Sequence, residues 1–270
     1  MPYGMLAGNG RFPMLALESA RRLGIEVVVI AIAEEAAPEV LAETPKSYSI
    51  SLGALSKLID ICKTEGITQL MMCGQVKHTK IFSAIRPDWR LFKLLASLEA
   101  KNTDALIGGV ARVLKDEGIE LVDSTLLLKE LLAPVGVLTS RKPSADESKQ
   151  LDYGRRIANS LAGFDIGQSV VISERSCVAL EAMEGTDAIL RRGAELTGGA
   201  PLRLVKSSRR RQHLLFDVPV LGLSSIDVMR ETNTTAASFD AARTLLLDRE
   251  QLVERANQSG ITLVGVAPED

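Results

Sequence analysis

Short apolar runs alternate with stretches of helical period along most of this chain. Residues 3–7 form a brief apolar run and a glycine turn follows; Pro13 suits the first turn of a helix reaching residue 22, and the β-branched run 25–33 predicts a second strand. The alternation continues with a helix over 55–65, a strand over 69–73, helices over 89–96 and 104–117, and a strand over 119–122. Such an order predicts a mainly parallel sheet with helices on both faces. Over 133–150 two prolines and a polar run break the period. Beyond it lie a helix over 151–161, strands over 169–172 and 177–180, a helix from Thr186, a strand over 203–206 and a helix from Ser224. A helix over 249–259, Gly260 and a strand over 261–266 close the chain. The expectation is an α/β protein of two domains: a Rossmann-like, mainly parallel nucleotide-binding domain over 1–132, a linker over 133–150, and a C-terminal α/β catalytic domain over 151–270.

The length of 270 residues agrees, being enough for two modest domains that each bury a core. A net charge of -2, with 46% hydrophobic and 24% charged residues, excludes a disordered chain and a surface that attracts nucleic acid as a whole. Any anion-binding charge is therefore local. The first ten residues hold no basic stretch, and the longest strongly apolar run, 27–33, is too short to span a bilayer. Neither export nor integral insertion is expected, and the expected compartment is the cytoplasm. Cys62, Cys73 and Cys177 lack CxxC spacing and are expected as buried thiols. With only His78 and His213 available, carboxylates and an oxygen-bound metal are more natural tools than a histidine relay.

Candidate chemistry concentrates in residues 161–192. Asp165-Ile-Gly-Gln168 precedes an apolar run, and Glu181-Ala-Met-Glu-Gly-Thr-Asp187 leads into a helical stretch. Glu184, Thr186 and Asp187 could bind a hard cation or orient a sugar or phosphate, the Gly185 kink letting backbone approach; alternatively Thr186 or Asp187 caps the helix. Gly8-Asn9-Gly10 offers backbone amides beside a helix N-terminus, with Arg11 adding charge, which suits a pyrophosphate; a tight turn that binds nothing is the competing reading. Glu34 or Glu35, roughly 20 residues on, stands where a ribose-binding acid would sit. Gly74-Gln75-Val76-Lys77 follows a strand, at the carboxyl edge of a parallel sheet, and Lys206 ends another strand. Asp104 opens a helix and is as readily a first-turn acid as a ligand contact. Asp217, between apolar neighbours and near Pro219, is costly to place without a partner such as a metal or a water.

These pieces also carry a resemblance. Asp-Ile-Gly-Gln-x-Val-Val over 165–171, followed by Val-Ala-Leu-Glu-Ala-Met-Glu-Gly-Thr-Asp-Ala over 178–188, resembles the signature of the magnesium-dependent UDP-2,3-diacylglucosamine pyrophosphatases of lipid A biosynthesis, enzymes of two α/β domains. Gly8 to Pro13, Gly74 to Lys77, Asp104-Ala-Leu106 and Gln212 to Gly222 fall in family order, so the likeness runs nearly end to end. It implies hydrolysis of the diphosphate to UMP and 2,3-diacylglucosamine 1-phosphate, with Mg2+ as cofactor. It implies Asp217 as catalytic residue and metal ligand, with Glu184 and Asp187 beside it. Substrate contacts are expected from Gly8, Asn9, Gly10, Arg11, Gly74, Gln75, Lys77 and Asp104 in the first domain, where Gln75 would read a uracil or ribose edge and Lys77 a phosphate. Asp165, Gln168, Glu181, Gly185, Thr186, Lys206 and Gln212 are expected to contribute from the second.

The implied partner is an acylated UDP-sugar, not nucleic acid, with peripheral contact at the inner membrane surface; a homodimer is left open. Two departures from the family pattern stand out. His78-Thr79 replaces an Arg-Pro pair, and Gln212-His-Leu-Leu-Phe-Asp217 stands where the family reads Gln-Asp-x-Arg-x-Asp, so His213 replaces an acid and Leu215 an arginine. Loss of that arginine removes a fork-shaped phosphate contact, and Arg209 to Arg211 lie close by in the chain. Those changes keep open a nucleotide-sugar-binding protein without chemistry. The Gly8 loop and Glu34 keep open an NAD-dependent oxidoreductase.

Overall fold

The computed structural model describes residues 1–76, 87–98, 103–164, 166–208, 215 and 218–268, without the side chains of 103 and 104. The chain forms two compact units, Met1–Leu128 with His213–Asp217, and Lys129–Gln212 with Val218–Asp270.

In the first unit, β1 (Tyr3–Ala7), β2 (Val27–Ile32), β3 (Ser47–Ile50), β4 (Gln69–Cys73) and β5 (Glu120–Leu121) form one parallel sheet in the order β3-β2-β1-β4-β5. The all-apolar sequence of β2, Val-Val-Val-Ile-Ala-Ile, is buried along its whole length, as a parallel strand covered on both faces requires. Helix α1 (Phe12–Leu23) has proline in its first turn and ends at Gly24, whose left-handed φ of 66° turns its N–H back to the carbonyls of Ala20 and Arg21. Helices α2 (Pro38–Ala42), α3 (Leu55–Thr64), α4 (Trp89–Ser97) and α5 (Thr103–Asp116) complete the described elements of this unit. Its main core joins Val28 and Ile30 of β2 to Leu58, Ile59 and Cys62 of α3, Leu91 and Leu94 of α4, and Leu114 of α5.

The second unit is built on a mixed six-stranded sheet in the order β6-β13-β11-β9-β7-β8. Here β9 (Leu202–Lys206), β11 (Thr234–Asp240) and β13 (Thr262–Val266) run parallel, whereas β6 (Gly136–Val137), β7 (Ser169–Ser173) and β8 (Ser176–Leu180) run antiparallel to their neighbours. A small parallel pair, β10 (Val220–Leu221) and β12 (Leu245–Leu246), lies beside it in sequence. Helix α6 (Ala145–Gly163) approaches one face so closely that a Cβ on Gly154 would fall 2.7 Å from Val205 and 2.8 Å from Ile172. Helix α7 (Thr186–Leu196) lies on the other face, where Gly193 would place a Cβ 3.0 Å from Val171. Ile172 and Val171 thus point to opposite sides, as period two demands. Helices α8 (Leu223–Glu231) and α9 (Arg249–Gln258) complete the unit.

The stretch 133–150, expected as a linker, is built into this second unit. Ala133 is buried and its N–H donates to Thr244 O at 2.8 Å, β6 pairs with β13, and Leu138 N–H donates to Leu263 O at 2.9 Å. Its polar run is a helix start. Ser144 accepts from Glu147 N–H at 3.1 Å while the Glu147 carboxylate accepts from Ser144 N–H at 2.8 Å, a capping box that begins α6 six residues before the expected start. The central strand β11 had no counterpart among the expected strands. Its sequence Thr-Thr-Ala-Ala-Ser-Phe-Asp is buried but nearly free of large apolar side chains, because helices pack close on a strand of small residues.

Candidate functional site

The parallel strands β9 and β11 end at one edge of the second sheet with Lys206 and Asp240, and antiparallel β7 enters from that edge at Ser169 while β8 leaves by it at Leu180. Ligands of open α/β sheets gather at such edges. Gly167 is what lets the loop before β7 close on the segment after β8: a Cβ there would stand 2.0 Å from Glu181 O. Backbone bonds then lock three segments together, Ser207 N–H to Gln168 O at 2.8 Å and Glu181 N–H to Ser169 O at 2.9 Å.

Thr186 sits at the focus of the resulting cluster. Its Oγ1 donates to Glu181 Oε1 at 3.2 Å, lies 3.2 Å from Ser169 Oγ and accepts from Lys206 Nζ at 3.3 Å. Gly185, with φ 86°, is the N-cap of α7 and no side chain caps that helix, so neither Thr186 nor Asp187 serves as its cap. The structure therefore brings together Gln168, Glu181, Gly185, Thr186 and Lys206, five residues singled out in the sequence. Among the described residues, Gln168 Oε1 and Glu181 Oε2 of this cluster, and Ser207 Oγ and Ser208 Oγ just beyond the end of β9, are buried without a hydrogen-bond partner. Buried polar atoms are nearly always satisfied, so this edge is prepared for polar groups supplied from outside the chain. The ammonium, the two serine hydroxyls and the N-terminus of an 11-residue helix suit an anion, while Glu181 Oε2 and Gln168 Oε1, which only accept, suit a donor group or a cation beside it.

The supports of this edge were not anticipated. Arg155 of α6 and Asp240 at the end of β11 form a buried ion pair at 2.8 Å; Asp240 Oδ2 also accepts from Ser208 N–H at 2.7 Å, and Arg155 donates to Ala267 O at 2.8 Å. Asp240 thereby holds the turn that carries Ser207 and Ser208. The acid could be noticed only once β11 was known to be a strand.

Of the expected metal ligands, Glu184 is already engaged. It is exposed, its Oε2 accepts from Ala182 N–H at 2.8 Å and its Oε1 pairs with Arg192 at 3.0 Å. The backbone N–H groups of Glu184 itself and of Ala182, together with Arg192, hold its carboxyl below the usual range. Asp187 is exposed in the first turn of α7, where the helix dipole favours an acid. Among the described residues no three His, Cys, Asp or Glu side chains come together as a metal-binding group. Lys77, Asp165, Gln212 and Asp217 lie outside the described residues, as does the side chain of Asp104. Leu215, in the position where an arginine was expected, packs against the core of the first unit, and its carbonyl accepts from Ser124 Oγ at 2.7 Å.

In the first unit, the loops after β1 and β4 are zipped together. Gly8 N–H donates to Cys73 O at 2.8 Å, Asn9 N–H to Gln75 O at 2.8 Å, and Gln75 N–H to Asn9 O at 2.9 Å. A Cβ on Gly8 would lie 2.7 Å from Gln75 O, and one on Gly74 2.7 Å from Asn9 O. These two glycines thus serve the contact between loops, and the amides of Gly8 and Asn9, expected to face a pyrophosphate, are engaged within the protein. Gly10 differs, with φ 98° and open space where a Cβ would stand. Gly10, Arg11 and Gln75 remain exposed at the sheet edge. Glu34 Oε2 accepts from Leu52 N–H at 2.9 Å, which ties down the loop after β2. Cys62 and Cys73 are buried free thiols, and burial pushes the Cys62 thiol up to about 11.

Two domain models of one family match the chain in succession. The LpxI N-terminal domain model matches residues 2–131, and the LpxI C-terminal domain model matches residues 134–264. The chain belongs to the LpxI family. A UDP-2,3-diacylglucosamine pyrophosphatase LpxI of Caulobacter vibrioides is 29% identical over 277 residues, covering 99% of this chain and 98% of that protein. Against solved structures, a biotin carboxylase domain of a thermophilic 2-oxoglutarate carboxylase bound to ADP aligns with 64% of this chain at 13% identity and a TM-score of 0.27, and the phosphoribosylglycinamide synthetase of Anaerococcus prevotii with 65% at 12% and 0.25. This LpxI-family chain spans about a third of each, 35% and 32% of their lengths. So slight a likeness carries nothing about its activity. Within the LpxI C-terminal match lie Thr186 and the other four singled-out residues at this edge, Gln168, Glu181, Gly185 and Lys206.

Proposed function

We propose that this chain hydrolyses the diphosphate of UDP-2,3-diacylglucosamine to UMP and 2,3-diacylglucosamine 1-phosphate. The observation that carries the reading is the end-to-end family match combined with an anion-suited edge inside the matched C-terminal domain. Hydrolysis breaks one P–O bond of the anhydride bridge, adds the oxygen of water to phosphorus, and releases a proton. Negative charge builds on the phosphoryl oxygens and on the departing phosphate, and fixed positive groups aimed there lower the barrier. Lys206 Nζ, held at Thr186, supplies a cation, and Ser207 and Ser208 Oγ supply donors that no described residue satisfies. Gln168 orients the substrate through a side-chain oxygen that has no partner among the described residues.

The carboxylates test the fit of Mg2+. Glu184, tied to Arg192, does not fit as a ligand, whereas Glu181 Oε2, buried and unpartnered in the cluster, does; Asp187, exposed in the first turn of α7, adds a second carboxylate. Magnesium typically takes one or two carboxylates plus substrate phosphates, and when bound it neutralises the diphosphate and stabilises the leaving phosphate.

The test is incubation of the full chain with UDP-2,3-diacylglucosamine, in magnesium and in chelator, with UMP and the lipid phosphate as readouts. Magnesium-dependent formation of both is expected, and Lys206→Met should lower kcat/KM by about a hundredfold, the loss expected of one preorganised charge at a developing oxyanion. A Lys206→Met enzyme of wild-type kcat/KM would remove this edge from the chemistry. One observation favours a second reading, a binder without chemistry: Leu215 faces apolar core where a phosphate-binding arginine was expected. Substrate binding by calorimetry without product in any metal would decide for it.

A further inference from the structure

Helix α4 carries the only tryptophan of the chain on its outer face. Leu91 and Leu94 are buried, whereas Trp89 is 66% and Phe92 52% exposed. The two exposed rings stack with centroids 5.8 Å apart and planes within 16°, and Lys93 Nζ stands 5.2 Å from the Trp89 ring centre. The helix is firmly seated: the Asp88 carboxylate caps it by accepting from Leu91 N–H at 2.9 Å and from Ser56 N–H of α3 at 2.5 Å. The aromatic exposure is therefore a property of a fixed surface. The stretch of sequence that contains this helix is basic; among its described residues Arg90 pairs with Glu117, whereas Lys93 stands at the aromatic pair. Between residues 77 and 101 the sequence holds Lys77, Lys80, Arg86, Arg90, Lys93 and Lys101 against Asp88 and Glu99, six cations minus two anions, in a protein of net charge -2.

We propose that the outer face of α4, with Trp89 and Phe92 as apolar anchors and Lys93 beside them, docks this protein onto an anionic phospholipid bilayer. Aromatic side chains settle at the level of the head groups, and cations beside them pair with anionic lipid. A second copy of the chain fits less well. Two half-exposed aromatic residues offer roughly 250 Å², far short of the roughly 800 Å² per partner of a standard interface. The inference rests on the proposed function in one respect: a diacylated substrate resides in a bilayer, so the enzyme must meet it there.

Trp89 is its own reporter. Full-length protein is titrated with vesicles of phosphatidylcholine alone and of phosphatidylcholine mixed with phosphatidylglycerol, following tryptophan emission and co-sedimentation. A blue shift and pelleting with the anionic vesicles only, both reversed by salt, are expected. Lys93→Gln should weaken apparent affinity about fivefold, the equivalent of about 1 kcal/mol for one cation at an anionic surface. Phe92→Ser should abolish the blue shift while leaving the circular dichroism spectrum and turnover of detergent-dispersed substrate unchanged. Unshifted wild-type emission in anionic vesicles, or Phe92→Ser binding them as well as wild type, would overturn the proposal; so would a wild-type dimer that Phe92→Ser dissolves. Vesicle binding without turnover of any substrate would sink the hydrolase reading and leave the docking surface standing.

Discussion

Replacing Glu147 by glutamine should destabilise the second unit in a manner that fades as the pH falls. The carboxylate is 5% exposed and receives four hydrogen bonds: from Arg141 at 2.7 and 3.0 Å, from Ser144 N–H at 2.8 Å and from Thr235 Oγ1 at 2.6 Å. Burial, the largest single influence, pushes this carboxyl up, but Arg141, Thr235 and the Ser144 amide together outweigh it and hold the pKa at about 2 against an ordinary 4.5. At about 1.4 kcal/mol per pH unit, that gap corresponds to about 3.4 kcal/mol. Arg141 is 40% exposed, and solvent screening reduces the figure to about 2 kcal/mol. Because the folded-state pKa is depressed, the contribution is fully present above pH 4.5 and is lost as the pH falls toward 2. Urea unfolding of wild type and Glu147→Gln, followed by far-ultraviolet circular dichroism, should show a gap of about 2 kcal/mol at neutral pH that shrinks to less than half by about pH 3. A gap independent of pH would mean that packing, not the carboxylate charge, accounts for the role of Glu147.

Two further outcomes follow from the packing of the site. Gly167→Ala sets a Cβ within 2.0 Å of Glu181 O, so the loop must move; a fall in stability of about 3 kcal/mol and loss of turnover are expected, and a wild-type melting temperature would contradict that geometry. Asp240→Ala removes the carboxylate paired with the buried Arg155, and breaking one side of a buried pair should cost about 3 kcal/mol. The double variant Arg155→Met, Asp240→Leu should lose less than Asp240→Ala alone in the same urea assay, and equal or greater loss would show that the ion pair itself, not the stranded charge, accounts for the effect.

What could be read from the sequence was local. Apolar runs and helical period placed β1, α1, β4, α4, β7, β8, α7 and β9 within a residue or two, because each buries a face through side chains adjacent in the chain. The motif residues Gln168, Glu181, Gly185, Thr186 and Lys206 were legible for the same reason, as polar groups breaking an apolar pattern beside glycines. Other features depended on contacts made far along the chain. The polar run ahead of α6 read as a linker because its purpose, a Ser144–Glu147 capping box clasped by Arg141, needs the fold around it. Strand β11 escaped notice because Thr, Ala and Ser signal a strand only where neighbouring strands already bury them. Gly8 and Gly74 looked like ligand-facing glycines, yet a backbone meeting between loops more than 60 residues apart requires them. The sequence by itself determined the α/β class, the division into two domains and the residues offered to a ligand, since these follow from local periodicity and side-chain chemistry. Only the tertiary structure decided the strand order, the Arg155–Asp240 support and the four unsatisfied atoms at the sheet edge, because hydrogen bonds join or strand those groups according to distances that no stretch of sequence encodes.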